Sequence, residues 1–91
     1  MRFIWDVGKA NRNLKKHGVS FEEARTVFYD DHAQVVPDPD HSDEEDRFII
    51  LGRSSLMRIL VICHCYREDD SVIRIISARK ATKREQKSYP G

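Results

Sequence analysis

Cysteine is scarce in this chain, and no long apolar run occurs. The two cysteines, Cys63 and Cys65, have a single residue between them. On a strand both thiols point to one face, too far apart along the backbone for comfortable disulfide geometry. No disulfide framework is expected, and reduced thiols fit a reducing compartment. The triplet Cys63-His64-Cys65 also lacks the spacing and the second pair of a structural zinc site. Strand alternation turns His64 away from the thiols, so two core cysteines are the simple reading. The longest apolar run, Ile59–Cys63, falls far short of the ~20 residues that cross a bilayer. Met1-Arg2-Phe3-Ile4-Trp5-Asp6 offers no signal-peptide core or cleavage site. A cytoplasmic location with no membrane contact is expected. Neither an internal repeat nor a low-complexity tract is present.

What is there is a charged, globular composition. The 91 residues are 40% hydrophobic and 34% charged, which suits a single folded domain over residues 1–91 and not a disordered chain. A chain this short buries only about 60–65% of its unfolded surface, so a partner that binds the folded form adds stability by mass action. The net charge of +1 conceals a strong asymmetry. Asp38, Asp40, Asp43, Glu44, Glu45 and Asp46 form an acidic stretch without a base. From Ser71 onward, Arg74, Arg79, Lys80, Lys83, Arg84 and Lys87 face a single acid, Glu85. A second basic cluster near the start holds Lys9, Arg12, Lys15 and Lys16. Such patterning speaks to partners and not to fold.

Arg2–Trp5 alternates and predicts a short strand. Asp6 can cap a helix from about Val7 to His17, with a poor apolar face carried mainly by Ala10 and Leu14. Lys15-Lys16-His17 before Gly18 suits a helix end, where cations meet the negative pole and glycine takes the left-handed residue. Ser20-Phe21-Glu22-Glu23 is a capping-box pattern that opens a second helix to about Tyr29. Ala33–Val36 reads as a strand, and 37–46 as an acidic loop. Arg47–Arg53, Leu56–Tyr66 and Ser71–Ala78 read as three antiparallel strands joined by turns at Gly52–Ser55 and Arg67–Asp70. Thr82-Lys83-Arg84-Glu85 repeats the capping box before a short last helix. The order β-α-α-β-β-β-β-α, with helices packed on an antiparallel sheet, defines an α+β domain.

Alternation along the long strand sets Ile59, Val61, Cys63, Cys65 and Arg67 against Arg58, Leu60, Ile62, His64 and Tyr66. On the next, Ile73, Ile75, Ser77 and Arg79 alternate with Arg74, Ile76 and Ala78. Arg67, Arg74 and Arg79 at the strand ends are expected to converge with Lys80, Lys83, Arg84 and Lys87. Arginine suits phosphate because its planar fork bonds two oxygens and keeps its charge. Such a cluster can hold an RNA backbone, or stabilise charge that builds on phosphorus under attack by a 2′-hydroxyl. The plain alternative is a solvated face that keeps a small protein soluble. His64 and His17 can both exchange protons, although a mid-strand core role explains the first and the helix end explains the second. Asp6 and Glu85 are accounted for as caps. Core packing suits Trp5, and a surface anchor suits Tyr89.

Three segments carry a family resemblance. Phe3–Ala24, Asp46-Arg47 and Ile73–Glu85, with Trp5-Asp6-Val7-Gly8-Lys9 and Asn13-Leu14-Lys15-Lys16-His17-Gly18-Val19-Ser20-Phe21-Glu22-Glu23-Ala24 inside the first and Arg74-Ile75-Ile76-Ser77-Ala78-Arg79-Lys80-Ala81 inside the last, resemble the signatures of the BrnT toxins of type II toxin–antitoxin systems. The resemblance implies a RelE-like ribonuclease fold and an endoribonuclease that cleaves mRNA without a metal or other cofactor. It also implies a cognate BrnA-type antitoxin, with DNA bound only through the antitoxin complex. The matching functional candidates are Lys9, His17, Arg67, Arg74 and Arg79; Lys80, Lys83, Arg84, Lys87, Arg12 and Lys16 are candidates for backbone or partner contacts. A rival from another class is a non-catalytic module whose basic surface docks an acidic partner. Direct DNA readout is disfavoured, since no helix-turn-helix spacing is present.

Overall fold

The computed structural model describes residues 1–39 and 46–91; most of the acidic loop expected over 37–46 lies outside them. Its elements run β1 (Arg2–Ile4), α1 (Val7–His17), α2 (Phe21–Thr26), β2 (Gln34–Pro37), β3 (Phe48–Arg53), β4 (Ile59–Arg67), β5 (Val72–Lys80) and α3 (Lys83–Ser88), with a single 3-10 turn, Val27–Tyr29, continuing α2. The caps are those the sequence announces. Asp6 accepts the Lys9 amide at 3.0 Å, and Ser20 Oγ accepts the Glu23 amide at 3.0 Å. Gly18 closes α1 with φ 69°, and Thr82 and Glu85 complete a reciprocal capping box.

The five strands form one sheet in the order β1-β5-β4-β3-β2. Every pairing is antiparallel except β1 with β5, which is parallel. The sheet is therefore mixed, because two helices separate β1 from the hairpin strands and return the chain on the opposite heading. β1 reaches only Val72 to Arg74 of its neighbour. Farther along that edge of β5, α1 takes over. The Asn13 amide nitrogen donates to Ala78 O at 2.8 Å and to Val19 O at 2.9 Å, while its oxygen accepts the Ala78 amide at 3.0 Å. One side-chain amide thus completes the ladder where no strand is present, as buried backbone groups require. This corrects the expected packing of α1 in part: Ala10 packs against the core as expected, but Asn13 is the buried residue and Leu14 stays 49% exposed.

Helices α1 and α2 cover one face of the sheet. Beneath them lie Val19, Phe21, Ala24, Val27, Ile50, Leu60, Ile62, Ile73, Ile75 and Ala78, all buried. His64 is buried in the same layer, its ring edge-on to Phe28 at 4.8 Å and close to Phe48 and Tyr66. Burial lowers its pKa, so it packs as a neutral ring. Gly52, expected in a turn, is inside β3; a Cβ there would meet Val27 and Ala33 at 2.9 Å, so the sheet approaches this layer only through a glycine. The turn falls later, with Met57 at φ 65°, and β4 starts at Ile59 instead of Leu56. A buried clamp holds that turn to the helices. Arg58 pairs with both oxygens of Glu23 and donates to Gly18 O at 3.0 Å, and Ser54 Oγ donates to Glu23 at 2.7 Å.

Candidate nucleic-acid interface

The sheet face away from α1 and α2 is built by residues that register pairs side by side. Ile49 lies beside Cys63, Leu51 beside Val61, Cys63 beside Ser77, Val61 beside Arg79 and Cys65 beside Arg74. Strict alternation puts Arg74 and Arg79 on opposite faces, since they are an odd number of residues apart. A bulge resolves this. Cys63 pairs with Ser77 but His64 pairs with Ile75, so Ile76 is an extra residue in β5. Ile73, Ile75 and Ala78 therefore face the core while Arg74, Ser77 and Arg79 share the outer face. Bulges re-aim side chains in this way and favour the neighbourhood of functional sites.

Two shallow grooves flank the bulge. One, of about 320 Å³, runs between α1 and β5 and is lined by Lys9, Arg12, Lys16, His17, Ile76 and Ser77. Every cation on that wall comes from one stripe of α1, set by i, i+3 and i+4 spacing. The other, also about 320 Å³, crosses β5, β4 and β3 and includes Arg47, Cys63, Ser77 and Arg79. Ile76 and Ser77 line both. The surface is thus continuous from the α1 cations across the bulge to Arg47, where Asp38 and the Glu85 partner of Arg79 add two carboxylates.

Arg79 is held in place. Its two terminal nitrogens donate to Glu85 at 2.8 and 2.9 Å, which draws the Glu85 carboxyl down to about 2. Glu85 also caps α3 through the Thr82 amide at 2.8 Å. The pair fastens α3 across the outer face, and Tyr89 fastens the chain beyond it by donating to Asp30 at 2.6 Å beneath the Arg53 guanidinium. Cys63 donates to Asp38 at 3.6 Å; burial first, and then that carboxylate, push its thiol up to about 11. It is no nucleophile at neutral pH.

The expected convergence of strand-end bases forms only in part, since Arg67 and Arg74 are diagonal neighbours on the outer face while Arg79 stands farther along it. Arg67 pairs with Val72, at the far end of the ladder from Arg79, roughly 20 Å along the strand. Lys80 pairs with Leu60 and its charge acts on Glu23, so it belongs to the helix-covered side. Lys83, Arg84 and Lys87 are exposed on α3. The structure instead lines two adjoining grooves with Lys9, Arg12, Lys16 and His17 on one side of the bulge and Arg47 and Arg79 on the other, while Arg74 lies farther along the same face beside Cys65. Sequence reasoning missed Arg47, Ser77 and Asn13. All three stand in the segments that carry the family resemblance, but no local pattern gives any of them a role. Among the described residues no group of three or more His, Cys, Asp or Glu could share a metal ion, and no helix is long and apolar enough to cross a membrane.

A small α+β domain with one sheet face covered by helices and the other lined by cations is a class suited to holding a polyanionic strand. The model of the family described as ribonuclease toxin, BrnT, of type II toxin–antitoxin systems matches residues 5–85. The chain belongs to this BrnT family. It is also similar to the crystal structure of the Brucella abortus ribonuclease toxin BrnT, with a TM-score of 0.71 and 25% identity over 91% of this chain and 99% of that one. Comparison with curated proteins gave no match.

Proposed function

We propose that this BrnT-family chain is a cytoplasmic, single-domain endoribonuclease that cleaves mRNA without a metal ion and is silenced by a BrnA-type antitoxin covering the same surface. The observation that carries the reading is the β5 bulge, which sets Arg74, Ser77 and Arg79 on one face, with Ser77 lining the groove that the α1 stripe walls. RNA lies across this face with its phosphates on Arg74, Arg79, Lys9, Arg12 and Lys16. The substrate's 2′-hydroxyl attacks the adjacent phosphorus and gives up its proton, the P–O5′ bond breaks, and the 5′-oxygen takes a proton. The products are a 2′,3′-cyclic phosphate and a 5′-hydroxyl, with no water consumed. His17 stands at the end of the α1 groove, where an imidazole can move the proton. Arg74 meets the charge growing on the phosphorane oxygens; Arg79, already oriented by Glu85, supports it from the α3 side. Arg67, two residues along β4 from the Cys65 partner of Arg74, approaches the same phosphate from the side of Arg74 away from Arg79.

A second reading, a binding module for an acidic partner, draws on Arg79, whose fork is already engaged by Glu85. DNA is then reached only through the antitoxin complex. Incubating the purified chain with RNA in EDTA separates the two. Cleavage leaving cyclic-phosphate ends, and weakened in Arg79→Ala, is expected. Intact RNA, or undiminished activity in that variant, refutes the nuclease reading.

A further inference from the structure

A third cavity adjoins the cationic groove on the same outer face. It measures about 280 Å³ and is walled by Val36, Ile49, Leu51 and Val61, with Gln34 at one side and Glu85 and Ser88 of α3 at the other. Ile49 and Val61 also line the groove that holds Arg47, Ser77 and Arg79. The two cavities are therefore neighbours across a shared apolar ridge. A nucleotide has the matching shape: an anionic phosphate on one side and a flat base with apolar faces and polar edges on the other. Single-stranded RNA is read by splaying such bases out of the stack, holding their faces on apolar or aromatic side chains and bonding their edges. Gln34 carries both a donor and an acceptor for that edge.

Resting on the ribonuclease reading above, we infer that this apolar cavity is a base-specificity subsite: it takes the nucleobase next to the scissile phosphate, and Gln34 reads the base's edge. Arg47 and Arg79 on the far side of the ridge hold the attached phosphate. The occupant is argued from this continuity. An apolar recess alone could take any greasy side chain, but this one shares a ridge with a polar groove holding Arg47, Arg79 and Asp38, and in a family of ribonuclease toxins a nucleotide fits that juxtaposition of apolar wall and polar groove. Two walls come from β2 and α3. Gln34, Val36 and Ser88 are all exposed, so their replacement leaves the buried core untouched.

The experiment is cleavage of a short RNA pool randomised around the cut, sequenced at its new ends in EDTA. The wild-type chain is expected to enrich one base beside the cut. In Gln34→Ala that enrichment falls about tenfold, the scale of a lost edge contact. In Gln34→Glu, which has only acceptors, it shifts towards bases presenting an amino donor. Val36→Trp, which fills the cavity, raises KM more than it lowers kcat. Cutting with equal preference for all four bases, or a preference unchanged in both Gln34 variants, overturns the subsite while leaving the nuclease intact. A chain that neither binds nor cuts the pool overturns both.

Discussion

Asn13 is the joint between the cationic helix and the cationic strand, and its removal is a severe test of how this surface is assembled. Asn13→Ala deletes three hydrogen bonds at once: two to the Ala78 peptide and one to Val19 O. Asn13 is 7% exposed, so water does not readily replace the lost partner. Each net bond is worth ~1 kcal/mol, and a stranded donor costs ~1–3 kcal/mol. The loss should come to about 3 kcal/mol, a large part of the ~5–14 kcal/mol expected for a domain of this size. At ~4–8 °C per kcal/mol, Tm should fall by roughly 12–24 °C. Urea unfolding followed by circular dichroism measures the same quantity, with an unchanged m-value expected if only the native state is affected. The substitution changes no charge. RNA affinity should nevertheless fall even where the variant is folded, because the α1 stripe is no longer fixed against Ser77. A loss below ~1 kcal/mol, or wild-type RNA affinity in the folded variant, refutes the reasoning.

Arg58→Ala strands the nearly buried Glu23 carboxylate and should cost ~3–5 kcal/mol in urea unfolding. Acid should destabilise the protein through two carboxylates: Glu23, held low by Arg58, and Glu85, held at about 2 by Arg79. Their folded-state pKa values lie below the ordinary Glu value. Their contribution is therefore complete above ~4.5 and, for Glu85, is lost as pH falls towards about 2; Glu85→Gln should flatten that part of a stability-against-pH curve. The Cys63 thiol, raised to about 11, should react slowly with a thiol reagent at pH 7.5 until the chain is unfolded. A rapid reaction of the native protein would contradict its burial against Asp38.

Local chemistry carried most of the fold into the sequence. Asp6, Gly18, Ser20 and Thr82 mark helix ends through short-range hydrogen bonds, and each marks an end in the structure. The hairpin strands follow from apolar runs cut by turns. What pattern could not carry was anything set by pairing across the sheet. The parallel β1–β5 edge joins residues about seventy positions apart in sequence and has no local signature. The extra residue at Ile76 is invisible to period-two alternation, which divides Arg74 from Arg79; only register with β4 shows that they share a face. Lys80 was misplaced for the same reason, since nearness in charge pattern is not nearness on a sheet. The resemblance supplied Lys9 and His17. Their relation to Ser77 needed Asn13, whose role depends on the backbone edge it completes.

The most direct test compares cleavage of one RNA in EDTA by the wild-type chain, by Arg74→Ala and by Arg25→Ala. Arg74 stands on the outer face, whereas Arg25 is an exposed cation on α2, on the covered side. Single-turnover rates with all three proteins shown to be folded separate chemistry from binding. If the bulged face is where phosphate is held and cut, Arg74→Ala should be slower by about 100-fold, as for loss of one group that stabilises transition-state charge, and Arg25→Ala should match the wild type. Equal rates for Arg74→Ala and wild type, or an equal loss in Arg25→Ala, would contradict the account.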